Sequence, residues 1–501
     1  MNEFGTVIST FEGPCTRKFS FVIKKDCVVR RGQFIEVPVE GGKLIGRVAD
    51  VFKTNRYFMR PESVEKYESS KPMEEIFPVS NWEYLVADVV PLGVYSKSEG
   101  MFEEVSFPPS PGTRVYEPDH SILSRFLGLD DRGMEIGELP YHDLKVRVNL
   151  TKLLQKHLAI LAISGAGKSY LASVLLEELL ERRKEEGQVG TIIVDTHGEY
   201  VSFAEDQKFT DRIRVFPANE IRIGLPNLTS HQIAEFLPKL SPVQVRELTR
   251  FLREMKSRKR HFGINELIQM IEEDEKAKAA TKDVLVSVLY DLMETGLFGA
   301  SDYPDVKDIA HQGKISIIDL SSFISSRKKQ MVVSHIARKL FNGRRASSIP
   351  PFLLVLEEAH QFVPETAKAE NAISRGIIQT IAREGRKFHA SLCLISQRPI
   401  QLSTTALSQC NTHIILRVTN PYDLEHIGRS SEGITRDLIN QISGLRVGTG
   451  LIVGESVNFP IFVKIRKRKS KESKRGIPLE EAAKEFSEGI KRKKEDAKSF
   501  M

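Results

Sequence analysis

The run Ala162-Ile-Ser-Gly165-Ala-Gly167-Lys168-Ser169 ends the apolar stretch His157–Ile163 and opens the helix-forming stretch Tyr170–Leu180. A strand, a glycine-rich loop and a helix in that order restrict the local fold more than any other feature of this chain, because this is the context in which a backbone cradles phosphate. Gly165 and Gly167 allow the N–H groups to turn inward as an anion nest. The helix N-terminus adds its dipole. Residues Ser164, Gly165, Ala166, Gly167, Lys168, Ser169 and Tyr170 would then surround a nucleoside triphosphate, with Lys168 reaching the β- and γ-phosphates and Ser169 ligating Mg²⁺. The first glycine of the usual pattern is replaced by Ala162, ahead of the nest, where a methyl group is tolerated.

Around this loop, buried apolar runs alternate with helical periodicity, as in a parallel α/β sheet. The candidate strands are His157–Ile163, Thr191–Asp195, Lys314–Leu320, Phe352–Leu356, Ala390–Ser396 and Thr412–Val418, each rich in Ile, Val and Leu as strands buried on both faces should be. A length of 501 residues suggests two to four domains at about 100–200 residues each. Residues 1–100 read as short strands with Gly and Pro punctuation and predict a small antiparallel barrel. Residues 101–150 read as a connector, with Pro108-Pro109-Ser-Pro111 and further short strands. The α/β core is expected over 151–225 and 301–463, interrupted by a helical insertion over 226–300. A basic tail or brace follows over 464–501. Within the insertion, Arg253–His261 is strongly basic, a pattern that most often marks a solvated helix face. Leu479–Lys498 reads either as a terminal helix docked on a neighbour or as a disordered tail.

The net charge of +7 is confined to the end of the chain: from Lys464 on, 14 Lys and Arg stand against seven Asp and Glu, so the rest is neutral. Any polyanion binding must therefore come from local patches or the tail. No stretch nears the roughly 18 apolar residues of a membrane helix, and no export signal is visible at the N-terminus. The four cysteines have no CxxC spacing, so a zinc site or disulfide framework is not expected and the reduced cytoplasm is the default.

Pro351-Phe-Leu-Leu-Val-Leu-Glu357-Glu358-Ala-His360 is an apolar strand ending in two acids. After a phosphate loop in an α/β chain, Glu357 is expected to help hold Mg²⁺ and Glu358 to act as general base, roles that could be exchanged. Gln397, at the tip of the Ala390–Ser396 strand, is placed to sense the γ-phosphate. Arg383, Arg386, Arg398 and Arg417 compete as the guanidinium that reaches across a subunit boundary, and Arg383 is the first choice. Asp195-Thr-His197-Gly-Glu199-Tyr200 ends another strand at the sheet edge where ligands sit. Asp195 there is either catalytic or the head of an Asx turn closed by Gly198.

In this order, these motifs resemble the HerA family of hexameric DNA translocases of archaea and bacteria, within the FtsK–HerA group of P-loop ATPases. The likeness spans most of the chain, from Gly32-Gln-Phe-Ile-Glu-Val37 and Leu44-Ile-Gly-Arg47-Val48 through Lys156-His157-Leu-Ala-Ile160, the phosphate loop, Asp195–Tyr200 and Leu356–His360 to Arg383-Glu-Gly-Arg386-Lys and Ser396-Gln-Arg-Pro399. Thr196 stands where the family often has Pro. The resemblance implies a RecA-like core behind an N-terminal HAS-type barrel, and a homohexamer that pumps double-stranded DNA by ATP hydrolysis. It also implies work with a NurA-type nuclease docked on the barrel, and with Mre11–Rad50, in DNA end resection. ATP would lie between subunits, with Arg383 in trans, Lys156 and Asn458, Phe459 and Pro460 as further nucleotide contacts, and the C-terminal segment bracing the next protomer. Lys368, Arg375 and Arg398 are the candidates for DNA contact, each equally readable as a solvated loop residue. Two other readings fit the motifs: a related conjugation or secretion motor, and an ATP-gated DNA-repair scaffold that does not translocate.

Overall fold

The structure is a computed structural model that describes residues 2–9, 13–55, 58, 62, 64–65, 83–96, 101–237, 240–259, 261–366, 372–431, 433–471 and five positions between 480 and 486. The chain divides into two compact units, residues 1–149 with 456–465, and residues 150–455 with 466–501.

The first unit is built on a closed barrel of six antiparallel strands: β1 (Glu3–Ile8), β2 (Phe19–Ile23), β3 (Phe34–Val39), β4 (Gly42–Asn55), β5 (Glu83–Ser96) and, after the two-residue β6 (Phe102–Glu103), β7 (Arg114–Tyr116). The order β2-β1-β7-β3-β4-β5 closes by pairing β2 with β5, which removes the exposed edges an open sheet would carry. Inward residues Phe4, Phe19, Phe21, Ile35, Val37, Leu44, Val48 and Val89 fill it. Register shifts at Ile45/Gly46 and Val48/Asp50 let the long β4–β5 hairpin curve around this core. The barrel draws its sixth strand from beyond residue 100, so the boundary expected there falls inside it. Helix α1 (His120–Leu127) follows, capped by the Asp119 carboxylate on the Ser121 and Ile122 N–H groups. Strands β8 (Met134–Glu138) and β9 (Lys145–Val148) then pair antiparallel with each other, and β8 pairs with the strand Ile461–Ile465. Pairing across more than 300 residues of sequence leaves no local trace, which is why 456–463 read as core and 464–465 as the start of the tail.

The second unit opens with the short helix α2 (Leu150–Leu154) and the strand β10 (Leu158–Leu161). The phosphate loop leads into α3 (Lys168–Glu181), then β11 (Gly190–Asp195) and β12 (Ile213–Pro217). Strand β13 (Ile223–Gly224) precedes four helices, α4 (Ser230–Phe236), α5 (Pro242–Arg258), α6 (Ile264–Glu273) and α7 (Ala279–Met293), and β14 (Phe298–Gly299) follows them. The core resumes with β15 (Ile315–Asp319), α8 (Ser326–Arg345), β16 (Phe352–Leu356), α9 (Arg375–Phe388), β17 (Ala390–Ser396), β18 (Thr412–Ile415) and β19 (Thr449–Gly454). The sheet order is β12-β15-β11-β16-β17-β10-β18-β19, parallel throughout except for the last pair. The six expected strands are all present, and their residues are almost wholly buried, as strands covered by helices on both faces require. No helix among the described residues is long and apolar enough to cross a membrane.

His157 fastens α9 to this sheet. Its Nδ1 accepts the Leu392 N–H (3.0 Å) and its Nε2 donates to the Ala382 carbonyl (2.9 Å), so the ring is neutral, and burial pushes its pKa down to about 4. The helix comes so close that a Cβ at Gly385 would lie 2.3 Å from the Ala390 carbonyl oxygen, which only glycine permits.

The helical insertion leaves and rejoins the core through a two-stranded parallel clasp, Ile223 opposite Phe298 and Gly224 opposite Gly299. Asp302 locks that clasp. Its carboxylate accepts from Gly224 N (2.7 Å), Asn227 Nδ2 (2.6 Å), His335 Nε2 (2.8 Å) and Lys339 Nζ, the last two on α8. Burial pushes this carboxyl up, but His335 and Lys339 outweigh it and hold it well below the usual carboxylate range. A carboxyl depressed in the folded state stabilises fully above its unfolded pKa of about 4 and loses that contribution as pH falls towards its folded value. Asp302→Asn is therefore expected to destabilise the second unit by about 3 kcal/mol, because His335 and Lys339 lose the group that compensates their burial. Thermal melts at pH 7 and at about pH 3 check both points: the gap between variant and wild type should be largest at the first and reduced, but still present, at the second.

Candidate functional site

The phosphate loop sits at the C-terminal end of β10, whose four residues are fully buried. Gly165 and Gly167 have φ of +76° and +97°, the left-handed geometry that turns successive N–H groups the same way. Ala162 is fully buried and its N–H donates to the Ser396 carbonyl (3.2 Å), so the residue that replaces a glycine belongs to the sheet ladder, not to the nest.

Strand β17 lies between the phosphate-loop strand β10 and the acidic strand β16. Parallel register aligns Leu161 with Ser396 and Leu356 with Leu394, so Glu358, two residues past Leu356, arrives level with Ser396 at the sheet tip. The backbone of Glu358 is left-handed, at φ 50° and ψ 48°. That conformation is costly for a residue with a Cβ, by about 1 kcal/mol or more, and such strain collects at functional sites. It turns the two adjacent acids to different neighbours. Glu358 Oε1 lies 3.1 Å from Lys168 Nζ. Its Oε2 is buried without a hydrogen bond, 3.4 Å from His360 Nδ1, which itself is 3.2 Å from Ser396 Oγ. Burial, with Arg398 and Lys168 nearby, pulls the His360 pKa down against the opposing pull of Glu358.

Glu357 turns towards β11. Its Oε2 accepts from the N–H (2.9 Å) and hydroxyl (3.0 Å) of Thr196, whereas Oε1 is buried and unpartnered. Asp195 is equally buried, but it accepts four backbone N–H groups, from His197, Gly198, Glu199 and Tyr200. The Asx turn therefore forms, and Asp195 organises the loop after β11. Burial, then the charges of Asp195 and Glu199, push Glu357 well above the ordinary carboxyl range. Burial also raises Asp195, against the pull of its N–H donors. Lys329 of α8 faces the same cluster, donating to the Thr196 carbonyl (3.3 Å), with burial lowering its pKa.

A pair of buried carboxyls with a bare oxygen each, beside the loop that carries Ser169, is a hard-oxygen donor set of the kind Mg²⁺ takes. No group of three or more acidic, His or Cys ligands that could hold a metal occurs among the described residues. Mg²⁺ is usually held through one or two carboxylates plus phosphates and waters, so the residues fit that ion.

Gln397 is half-buried at the tip of β17, and Arg398 beside it is exposed, its N–H donating to Ser396 Oγ (3.1 Å). Arg375 begins α9. Lys368 lies outside the described residues. Lys156 stands at the other end of β10 from the phosphate loop and pairs with Glu455 at 2.5 Å. Glu455 is held low first by Lys156 and also by Arg386. Arg383 is exposed one turn earlier on α9, lining a groove of about 660 Å³ with Arg338, Asn342 and Arg345 of α8. The structure thus brings Lys168, Glu358, Glu357, Asp195 and Gln397 to one edge of the sheet. Lys156 and Arg386 gather at the opposite edge, with Arg383 on the part of α9 that leads there. Asn458, Phe459 and Pro460 belong to the first unit, where Asn458 Nδ2 donates to the Phe126 carbonyl (2.9 Å) and the Phe459 ring stacks on Phe126.

The chain from Arg466 to Lys471 is laid along α3. Glu177 on that helix is fully buried and accepts from Arg466 Nη1 (2.8 Å), Lys469 N (2.8 Å), Ser470 N (2.7 Å) and Ser470 Oγ (2.6 Å). Arg468 N donates to the hydroxyl of Tyr170, the residue after Ser169 (2.8 Å). The described part of the C-terminal segment therefore braces this chain's own phosphate-loop helix.

The "Helicase HerA, central domain" model matches residues 134–340. The DNA double-strand break repair helicase HerA of Sulfurisphaera tokodaii is 29% identical over 476 residues, 88% of this chain and 90% of that protein. The protein of the same name from Pyrococcus furiosus is 27% identical over 529 residues, 91% of each. Over most of its length the chain is thus similar to HerA helicases. A probable helicase of Methanocaldococcus jannaschii is 28% identical over 465 residues, 87% of this chain and 86% of that one. Among solved structures, VirB4 of Thermoanaerobacter pseudethanolicus shares the fold at a TM-score of 0.54 with 17% identity, over 67% of this chain and 97% of that one. The chain carries a P-loop and is an ATP-hydrolysing enzyme.

Sequence reasoning missed His360 and Ser396 as partners of the site, although His360 stands only two residues past Glu358. It missed Lys329, for which the register of α8 against β11 leaves no sequence signal. Glu177 had one, an acid inside the apolar run of α3. Removing its charge in Glu177→Gln is expected to leave Arg466 with Glu178 alone, weaken the hold on Lys469 and Ser470, and cost about 2 kcal/mol. Residues 466–471 should then be cut by trypsin at native temperature; a protected segment, read by mass spectrometry of limited digests, would contradict the brace.

Proposed function

We propose that this chain is an ATP-driven helicase and translocase on double-stranded DNA that acts in DNA repair as a homohexameric ring. In this reading it works with a NurA-type nuclease and Mre11–Rad50 in end resection. The observation that carries the ring is the split of charged groups between two sheet edges. Each chain holds phosphate-binding and acidic groups at one edge. Its free arginine, Arg383, lies on the helix leading to the other, so an ATP site becomes complete between two copies. The naming of two relatives as DNA double-strand break repair helicases supports DNA as the substrate.

In this reading the loop N–H groups and Lys168 bind the β- and γ-phosphates. Lys168 leaves Glu358 for the phosphate oxygens, which frees the Glu358 carboxylate to take a proton from the attacking water. Ser169 and Glu357 would hold Mg²⁺, which supplies charge neutralisation across the phosphates when bound. Gln397 senses the γ-phosphate, Asp195 fixes the loop beside Glu357, and Arg383 of the neighbouring chain neutralises charge that develops on the transferring group. Lys156 and Asn458, Phe459 and Pro460 are further contacts to nucleotide across the boundary. Arg375, Arg398 and Lys368 are contacts to DNA.

Turnover of ATP with and without linear duplex DNA, alongside native mass, tests the whole reading. Stimulation by DNA from a particle of about six chains is expected. Hydrolysis indifferent to DNA would replace the motor by a scaffold. Lys168→Ala should abolish turnover, and Glu358→Gln should lower it by about 10²–10⁴-fold while ATP still binds. Retained hydrolysis in either variant would remove that residue from the chemistry.

Mixing Arg383→Ala chains with Glu358→Gln chains should restore activity at the boundaries that combine an intact Arg383 with an intact Glu358. Absence of rescue in confirmed mixed rings would show that Arg383 does not act in trans.

A further inference from the structure

Helix α5 carries five basic residues, Arg246, Arg250, Arg253, Lys256 and Arg258, against Glu247 and Glu254. Their partners divide them. Arg250 is held by Asp274 and Glu247, Arg258 pairs with Glu254, and Lys256 donates to the Leu228 carbonyl. Arg246 and Arg253 are exposed and have no side-chain partner among the described residues. Seven residues apart, they lie on one face of the helix, about 10 Å from each other along its axis. Both open into a groove of about 760 Å³ lined also by His231 of α4 and by Thr249, Arg250, Glu254 and Ser257 of α5.

The lining decides the occupant. Guanidinium, imidazole and hydroxyl groups are the set that contacts phosphate oxygens, and the one carboxylate in the lining, Glu254, is already paired with Arg258. The groove has no aromatic side chain and its apolar lining is Pro242 and Val245, so it lacks the buried anchor a protein partner would need. A solvated face would be expected to neutralise its arginines with i,i+4 acids, as Arg258 is by Glu254, and Arg246 and Arg253 are left bare.

We propose that the α4–α5 groove is a phosphodiester-binding site that takes the backbone of duplex DNA on the helical insertion. It is separate from the ATP site and from the Arg375 and Arg398 positions. This rests on the reading that the chain works on DNA.

The test is equilibrium binding of labelled linear duplex DNA to the full-length protein without nucleotide, from about 50 to about 200 mM salt. Three double variants are compared: R246E/R253E, R246Q/R253Q and R246K/R253K. Charge reversal should weaken binding at least about tenfold and flatten the log–log salt slope by about two, with the neutral pair in between and the lysine pair near wild type. Thermal midpoints identify any variant that fails to fold, and the glutamine pair then gives the same reading without charge reversal. Wild-type affinity and slope in the reversed and neutral variants overturn the groove and leave the DNA reading standing. Failure of the wild type to bind duplex at low salt overturns both. Retention of polyglutamate by the wild type, lost on reversal while DNA binding persists, assigns the groove to an acidic protein surface and also overturns it.

Discussion

The register of three parallel strands determines what this molecule can do. Leu161 opposite Ser396 and Leu356 opposite Leu394 put the start of the phosphate loop, the tip of β17 and the second of two acids at one level. Slipping one strand by a single residue would turn Glu358 to the other face of the sheet and leave Lys168 without a counter-charge. Nearly all the residues that set this register are buried on both faces, so apolar packing fixes the distance between a lysine and a carboxylate.

Buried carboxylates in the second unit fall into two kinds, and their hydrogen bonds tell them apart. Glu177 and Asp302 accept from several donors each, and their pKa values are held low. They fasten a C-terminal strap and a helical insertion to the core. Glu357 and Glu358 each keep an oxygen that is buried and bare. A native fold rarely leaves such atoms unmet unless something arrives to meet them, and here the arriving groups would be a nucleotide and its cation. Satisfied charges hold the frame, and unsatisfied ones wait for a ligand. The strap joins the two, since Arg468 reaches Tyr170 in the first turn of the helix that carries Lys168.

What could be read from the sequence was whatever local periodicity encodes. The six core strands, the phosphate loop, the acid pair and the position of Gln397 all follow from runs of buried residues and their ends. The barrel was legible from its short strands and turns, but its sixth strand, Arg114–Tyr116, was not, because three residues carry no periodic signal. The pairing of Ile461–Ile465 with β8 was hidden by sequence distance. So were the Lys156–Glu455 pair and the cluster around Thr196, whose members come from β11, β16 and α8. Asp195 shows the limit most clearly: a strand-end acid followed by a glycine fits a catalytic residue and an Asx turn alike, and only the four N–H groups around its carboxylate reveal the turn.

The distribution of charge gives the proposed ring its physical logic. A chain neutral up to residue 463 cannot hold DNA by a general positive field, and its basic tail begins by satisfying Glu177, Glu178 and Glu181 on its own helix. Affinity must come from a few unpaired cations placed where a backbone passes. On a single chain two arginines on α5 would bind a duplex weakly. Six copies around one duplex, as the proposed ring would place them, would multiply the contacts without adding charge to any protomer. A strongly basic surface would bind more tightly and move less.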